Sequence, residues 1–127
     1  MVTKHRIQTE QAPQAVGCYS QGIRSGNWVF LSGQIGLNPQ TMQMVEGGIL
    51  AELEQCLRNL KAVLASVGGD FSHIVKVTVF LKDLGSYTVL NEMMQKYFAT
   101  PYPARSAVEV SRLPRDALVE IEAIAVI

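Results

Sequence analysis

The chain has 127 residues, the length of one domain (1–127), enough to bury roughly two-thirds of the surface that its unfolded form would expose. Eleven basic and eleven acidic side chains cancel with no block of like charge, which argues against the phosphate-neutralising surface of a nucleic-acid binder. The N-terminal run MVTKHRIQTEQAPQ is too polar for a signal peptide, no apolar stretch approaches the ~18 residues of a membrane span, and two cysteines do not make a disulfide framework, so a cytoplasmic protein with reduced thiols is expected.

In chain order, Gly22 to Ile35 holds two short extended runs around Ser25-Gly26-Asn27 and predicts a β-hairpin whose second strand, Trp28-Val29-Phe30-Leu31, ends at Ser32-Gly33. Asn38 to Gly48, with Asn-Pro and Gly-Gly pairs, predicts a loop feeding the first helix, well placed to border a site. From Ile49 to Val67 the residues Leu50, Leu53, Cys56, Leu57, Leu60, Val63, Leu64 and Val67 recur at helical spacing, and Gly68-Gly69 stops the pattern. Ile74 to Leu81 predicts a β-branched strand, and Ser86 to Phe98 a second helix through Leu90, Met93, Met94 and Tyr97, closed by Pro101 and Pro103. Arg105 to Val110 and Ala117 to Ile127 predict two further strands around the turn Leu113-Pro114-Arg115-Asp116.

Helices that link strands imply right-handed crossovers, so the expected class is α+β, a mixed β-sheet with two helices packed on one face. Strand parity describes the other face. Val119, Ile121, Ala123, Ala125 and Ile127 point one way, Leu118, Glu120, Glu122, Ile124 and Val126 the other, and Lys76, Thr78 and Phe80 oppose Val75, Val77 and Val79. A face that mixes acids with Leu, Ile, Val and Phe is too apolar for water alone, which predicts that another subunit covers it.

Several chemistries lack their residues. His5 and His73 are far apart, Cys18 and Cys56 form no CxxC and there is no HExxH, so no metal site is expected. No Walker loop or GxGxxG marks a phosphate or dinucleotide. Ser20, Ser32 and Ser106 stand in no GxSxG elbow and read as hydroxyls satisfying backbone groups. What stands out is Pro103-Ala104-Arg105-Ser106-Ala107-Val108-Glu109-Val110, an arginine opening a strand after a proline-braced loop. A guanidinium fork can hold a carboxylate through two parallel charge-assisted hydrogen bonds. Composition alone leaves this beside an internal ion pair with Glu109, Glu120 or Glu122, and slightly favours the ion pair.

With Gly17-Cys18-Tyr19-Ser20-Gln21-Gly22, Ser32-Gly33-Gln34-Ile35, Val77-Thr78-Val79-Phe80-Leu81-Lys82-Asp83-Leu84, Pro103-Ala104-Arg105-Ser106, Arg112-Leu113-Pro114 and Ile121-Glu122-Ala123-Ile124-Ala125 in this order, the chain resembles the Rid/YjgF family, and within it the RidA-like deaminases. The resemblance implies a chorismate-mutase-like α+β fold, a homotrimer with active sites between subunits, and cofactor- and metal-independent hydrolysis of 2-enamino and 2-imino acids (2-aminoacrylate/2-iminopropanoate, 2-iminobutanoate) to 2-keto acids and ammonia. Arg105 corresponds to the family's carboxylate-binding arginine and Glu120 to the acid that positions or activates water. Tyr19, Ser32, Gly33, Asn91 and the backbone at Ala107 match positions that line or support the cleft.

Two positions depart from the family pattern. Cys18 stands where proline is common, which loosens the backbone before Tyr19; a small buried side chain is expected, the alternative being an exposed, modifiable thiol near the cleft. Ala107 replaces a frequent cysteine, leaving only a backbone role there. A regulatory trimer that binds small carboxylates or keto acids without catalysis is the alternative reading; a ribonuclease ranks below it, given the balanced charge and the lack of paired histidines.

Overall fold

The computed structural model describes residues 3–127; Met1 and Val2, at the head of the polar N-terminal run, lie outside the described residues. The predicted hairpin is present, β2 (Gly22–Ser25) antiparallel to β3 (Trp28–Gln34) with Ser25 opposite Trp28. Gly26 takes φ 61 in the two-residue connection, a conformation that suits glycine in a tight hairpin. A strand not expected from the sequence, β1 (His5–Ile7), adds to the edge of β2. Only Ile7 of its three residues is buried, too short an alternation to register as a strand.

The first helix, α1 (Gly48–Ala65), ends two residues before Val67, and Gly68, at φ 79, lets the Gly69 N–H return to Leu64 O at 2.9 Å. Its apolar stripe buries Leu53, Cys56, Leu57, Leu60, Val63 and Leu64, while Leu50 falls outside the stripe and is exposed. Next come β4 (Ile74–Leu81), α2 (Tyr87–Tyr97), β5 (Ala104–Glu109) and β6 (Val119–Val126). The sheet order is β1-β2-β3-β6-β4-β5, with β4 and β5 parallel and β6 antiparallel to both β3 and β4. The crossovers through α1 and α2 therefore step in the same direction, which sets both helices on one face as expected.

That face is the core: Val29, Leu31, Val77, Val79, Ile121 and Ala123 pack against α1 and against Leu90 and Met93 of α2. The alternation in β6 matches the parity read from its sequence. In β4 a register shift between Ile74 and Lys76 buries Ile74 and turns Val75 outward, so Val75 departs from the expected parity. On the opposite face Trp28 and Phe30 stack at 6.4 Å between centroids and are 51% and 44% exposed, and Val108 is 43% exposed. The Phe80 end of this face packs against Ile35, Leu113 and Ala117, whereas the described residues leave Trp28, Phe30 and Val108 largely uncovered.

Candidate active site

Arg105 opens the edge strand β5, and its side chain rises on the helix side of the sheet, because Arg105 pairs with Val77 and Val77 with Ala123, both core residues. There it meets α2. Its Nη1 donates to Asn91 Oδ1 at 2.7 Å and its Nη2 to Tyr87 Oη at 2.7 Å, with the guanidinium carbon 5.0 Å from the centre of the Tyr87 ring. No acid pairs with it among the described residues. The ion pair that composition slightly favoured is thus absent: Glu109 instead accepts from Leu84 N at 2.9 Å, and Glu120 and Glu122 belong to another strand. Both partners of Arg105 are neutral, so its charge stays available, at the mouth of a cleft of about 440 Å³ lined by Asn91, Met94, Gln95, Tyr102, Pro103 and Arg105. Ala107 shares the Arg105 face and packs against the core.

Glu120 faces the other way. It pairs with Phe80, and Phe80 with Val108, so its carboxylate lies on the outer face. Here the sheet is irregular: the β3–β6 ladder shifts register between Leu31 and Gln34, a bulge formed by Ser32 and Gly33. Gly33 leaves room here for the acid, since a Cβ would stand 2.8 Å from Glu120 Cδ and push the carboxyl aside. Burial, and then the negative charge of Glu122, raise the Glu120 pKa above its ordinary value. Tyr19, Ser32, Gly33, Pro114, Glu120 and Glu122 are among the residues lining a second cleft of about 490 Å³. Leu37, just before the Asn38–Gly48 loop, lines it too, but no residue of that loop does.

Local hydrogen bonds hold that cleft. Ser32 Oγ donates to Ser20 O at 2.6 Å, and Val16 N donates to Tyr19 Oη at 3.3 Å. Buried Gln21 accepts from Thr9 N at 2.7 Å and donates to Pro13 O at 2.8 Å, stapling the N-terminal arm beside Tyr19. Asn59, buried on α1, donates to Ile35 O and Leu37 O at 3.2 and 2.9 Å. Cys18 is exposed, not buried as expected, because the turn from Gly17 (φ 125) carries it to the surface. Cys56 is buried with Sγ 3.8 Å from Val119 O, and burial pushes its thiol pKa up, so it keeps its proton. No group of three or more potential metal ligands occurs among the described residues.

The candidate residues therefore fall into two sets that one chain holds apart: Arg105 and Asn91 on the helix side of β5, and Tyr19, Ser32, Gly33 and Glu120 on the outer side of β3 and β6. Two contributors escaped the sequence reading. Tyr87 stands one helical turn before Asn91, which the sequence had singled out, a spacing that marks a shared face of α2. Gln21 is a polar residue in an otherwise apolar approach to a strand, a weaker signal.

The family model described as Endoribonuclease L-PSP matches residues 9–127. Protein DfrA of Myxococcus xanthus is 50% identical over 98% of this chain and 97% of its own. A 2-iminobutanoate/2-iminopropanoate deaminase of Dermatophagoides farinae is 46% identical over 100% of this chain and 99% of its own. The crystal structure of RidA from an Antarctic Psychrobacter superposes with a TM-score of 0.94 at 46% identity, covering 97% of this chain and 99% of that one.

Proposed function

The chain belongs to the Rid/YjgF family, whose model is described as Endoribonuclease L-PSP, and on that premise we propose that its two sets of residues join to hydrolyse 2-enamino and 2-imino acids. It is an enamine/imine deaminase: 2-iminobutanoate or 2-iminopropanoate and water give the 2-keto acid and ammonia. The observation that carries the reading is a guanidinium held in place by neutral groups with no acid beside it. Such a group binds a carboxylate without first giving up an internal partner.

Arg105 fixes the substrate carboxylate, with Asn91 beside it and the Ala107 backbone along the same strand. Tyr19, Ser32 and Gly33 bound the opposite wall. Glu120 in its protonated form gives a proton to the enamine at carbon, forming the iminium, and its carboxylate then takes a proton from the water that attacks the C=N carbon. The resulting carbinolamine receives that proton on nitrogen, the Glu120 carboxylate takes the carbinol hydroxyl proton as the C–N bond breaks, and ammonia leaves with the 2-keto acid while Glu120 is again protonated. A raised pKa suits Glu120 to both roles near neutral pH. The substrate already carries the C=N group that a cofactor would otherwise have to create, so position is what the protein contributes. Glu120 and Glu122 together would repel a phosphodiester backbone, which disfavours an RNA substrate.

Arg105 and Glu120 lie on opposite faces of one sheet, so a site that uses both needs two copies of the chain. A homotrimer of chorismate-mutase-like subunits supplies it. Support comes from the uncovered apolar face around Trp28, Phe30 and Val108, which adjoins Glu120. A cytoplasmic location fits the two unpaired thiols. The test is subunit mixing: Arg105→Ala and Glu120→Gln, each inactive alone, are co-refolded in equal amounts. Random assortment leaves about one shared site in four intact, so deaminase activity returns to roughly a quarter of wild type. No recovery, with mixed oligomers demonstrated by native mass spectrometry, would show that the site lies within one chain.

A further inference from the structure

We propose that the hydroxyl of Tyr87 is a positioning element of the carboxylate grip, fixing the plane of the Arg105 guanidinium before the ligand arrives. The proposal rests on the reading of Arg105 as the carboxylate-binding residue.

An arginine side chain has many rotamers, and a ligand that must order it loses affinity in doing so. Here the ordering is done in advance. Asn91 holds one terminal nitrogen and Tyr87 the other, each at 2.7 Å, and the Tyr87 ring stacks against the guanidinium. Two of the five N–H donors are used and the rest stay free for a ligand. An acid in place of either partner would orient the group equally well but would compete with the incoming carboxylate. A phenol oxygen accepts the hydrogen bond and leaves the positive charge intact.

Tyr87 is in turn held by the strand that it serves. It is the first residue of α2, directly after the turn Leu84–Ser86, which is closed by the Asp83 side chain accepting from Gly85 N at 2.8 Å. Glu109, on the same face of β5 as Arg105, accepts from Leu84 N at 2.9 Å and ties that turn to the strand. Strand, turn and helix start thus form a closed frame around the guanidinium, and Glu109, the acid on the Arg105 face of the strand, is occupied in building it. Tyr87 is itself 42% exposed, so the fold gains little from burying its ring.

Tyr87→Phe isolates the hydroxyl, because the ring and its stacking remain. Wild type, Tyr87→Phe and Arg105→Ala are titrated with 2-oxobutanoate and with its uncharged amide, and assayed on enzymatically generated 2-iminobutanoate. Tyr87→Phe is expected to keep its oligomeric state and Tm, to bind 2-oxobutanoate about tenfold more weakly, and to bind the amide as wild type does. Its apparent KM should rise about tenfold with kcat within about threefold. Unchanged 2-oxobutanoate binding and KM in Tyr87→Phe, with both lost in Arg105→Ala, would overturn the role of the hydroxyl and leave the deaminase standing. Equal weakening of acid and amide, or a fall confined to kcat, would also overturn it, since a general distortion does not read ligand charge. A protein whose 2-oxobutanoate affinity depends on Tyr87 as described, yet which leaves imine lifetime unchanged, would sink the deaminase and uphold the grip.

Discussion

The Arg105 side and the Glu120 side of the molecule are built by different means. The groups that hold Arg105 stand on regular secondary structure, a strand edge against the first turns of α2, and the charge is held by short hydrogen bonds to neutral groups. Around Glu120 the backbone is irregular, with a bulge in β3, a stapled N-terminal arm and the Pro114 turn, and burial and a like charge perturb the carboxyl. The difference follows the task. Gripping a carboxylate needs a fixed charge with a fixed direction, which rigid elements supply. Moving a proton needs a group whose two protonation states are close in free energy, which burial beside another acid supplies.

The contrast breaks most completely at Arg105. Arg105→Ala should lower kcat/KM by at least about 100-fold, followed as 2-oxobutanoate formed from a threonine dehydratase reaction with semicarbazide present to trap free imine. Arg105→Lys should be nearly as damaged, because one ammonium cannot span Asn91, Tyr87 and a two-oxygen ligand in one plane. Full activity in either variant would remove Arg105 from the mechanism. On the other side, Gly33→Ala puts a methyl where the Glu120 carboxyl rests. The carboxyl is the end of a flexible side chain and can move aside, so the fold should survive while the proton donor is displaced. A fall in kcat on the order of 10- to 100-fold with unchanged 2-oxobutanoate affinity is expected, the reverse of the pattern for Tyr87→Phe.

The same contrast explains what could be read from the sequence. Periodicity located both helices, the hairpin and the last three strands, because long apolar patterns dominate those segments; β1 was missed because three residues of an edge strand bury one side chain. Parity assigned Glu120 to the outer face correctly. It could not exclude a pairing of Arg105 with Glu109, Glu120 or Glu122, which depends on register between strands far apart in sequence and on Glu109 turning to Leu84 N. Cys18 was misjudged because its exposure follows from a glycine conformation at Gly17, not from the residue itself. Tyr87 lay in plain sight as the helical neighbour of Asn91, but an aromatic residue on an amphipathic helix reads first as packing.

Glu122→Gln gives the smallest effect and the sharpest separation of the two sides. Glu122 raises the Glu120 pKa by repulsion, second to burial, so removing its charge makes the Glu120 proton easier to lose. The limb of the pH–rate profile that reports this group should move to lower pH, by less than a pH unit given that Glu122 is exposed to screening water. Stability should follow with the same sign. A carboxyl whose pKa is higher in the folded state stabilises the fold fully only below its unfolded pKa, and loses that contribution as pH rises through the folded value. Glu122→Gln lessens this loss, so a Tm gain of about 1–2 °C at neutral pH should vanish at acid pH. Tyr87→Phe should change KM and leave the limb in place. If both variants shifted the limb, grip and proton transfer would be electrostatically coupled, and the division of labour between the two faces would be wrong.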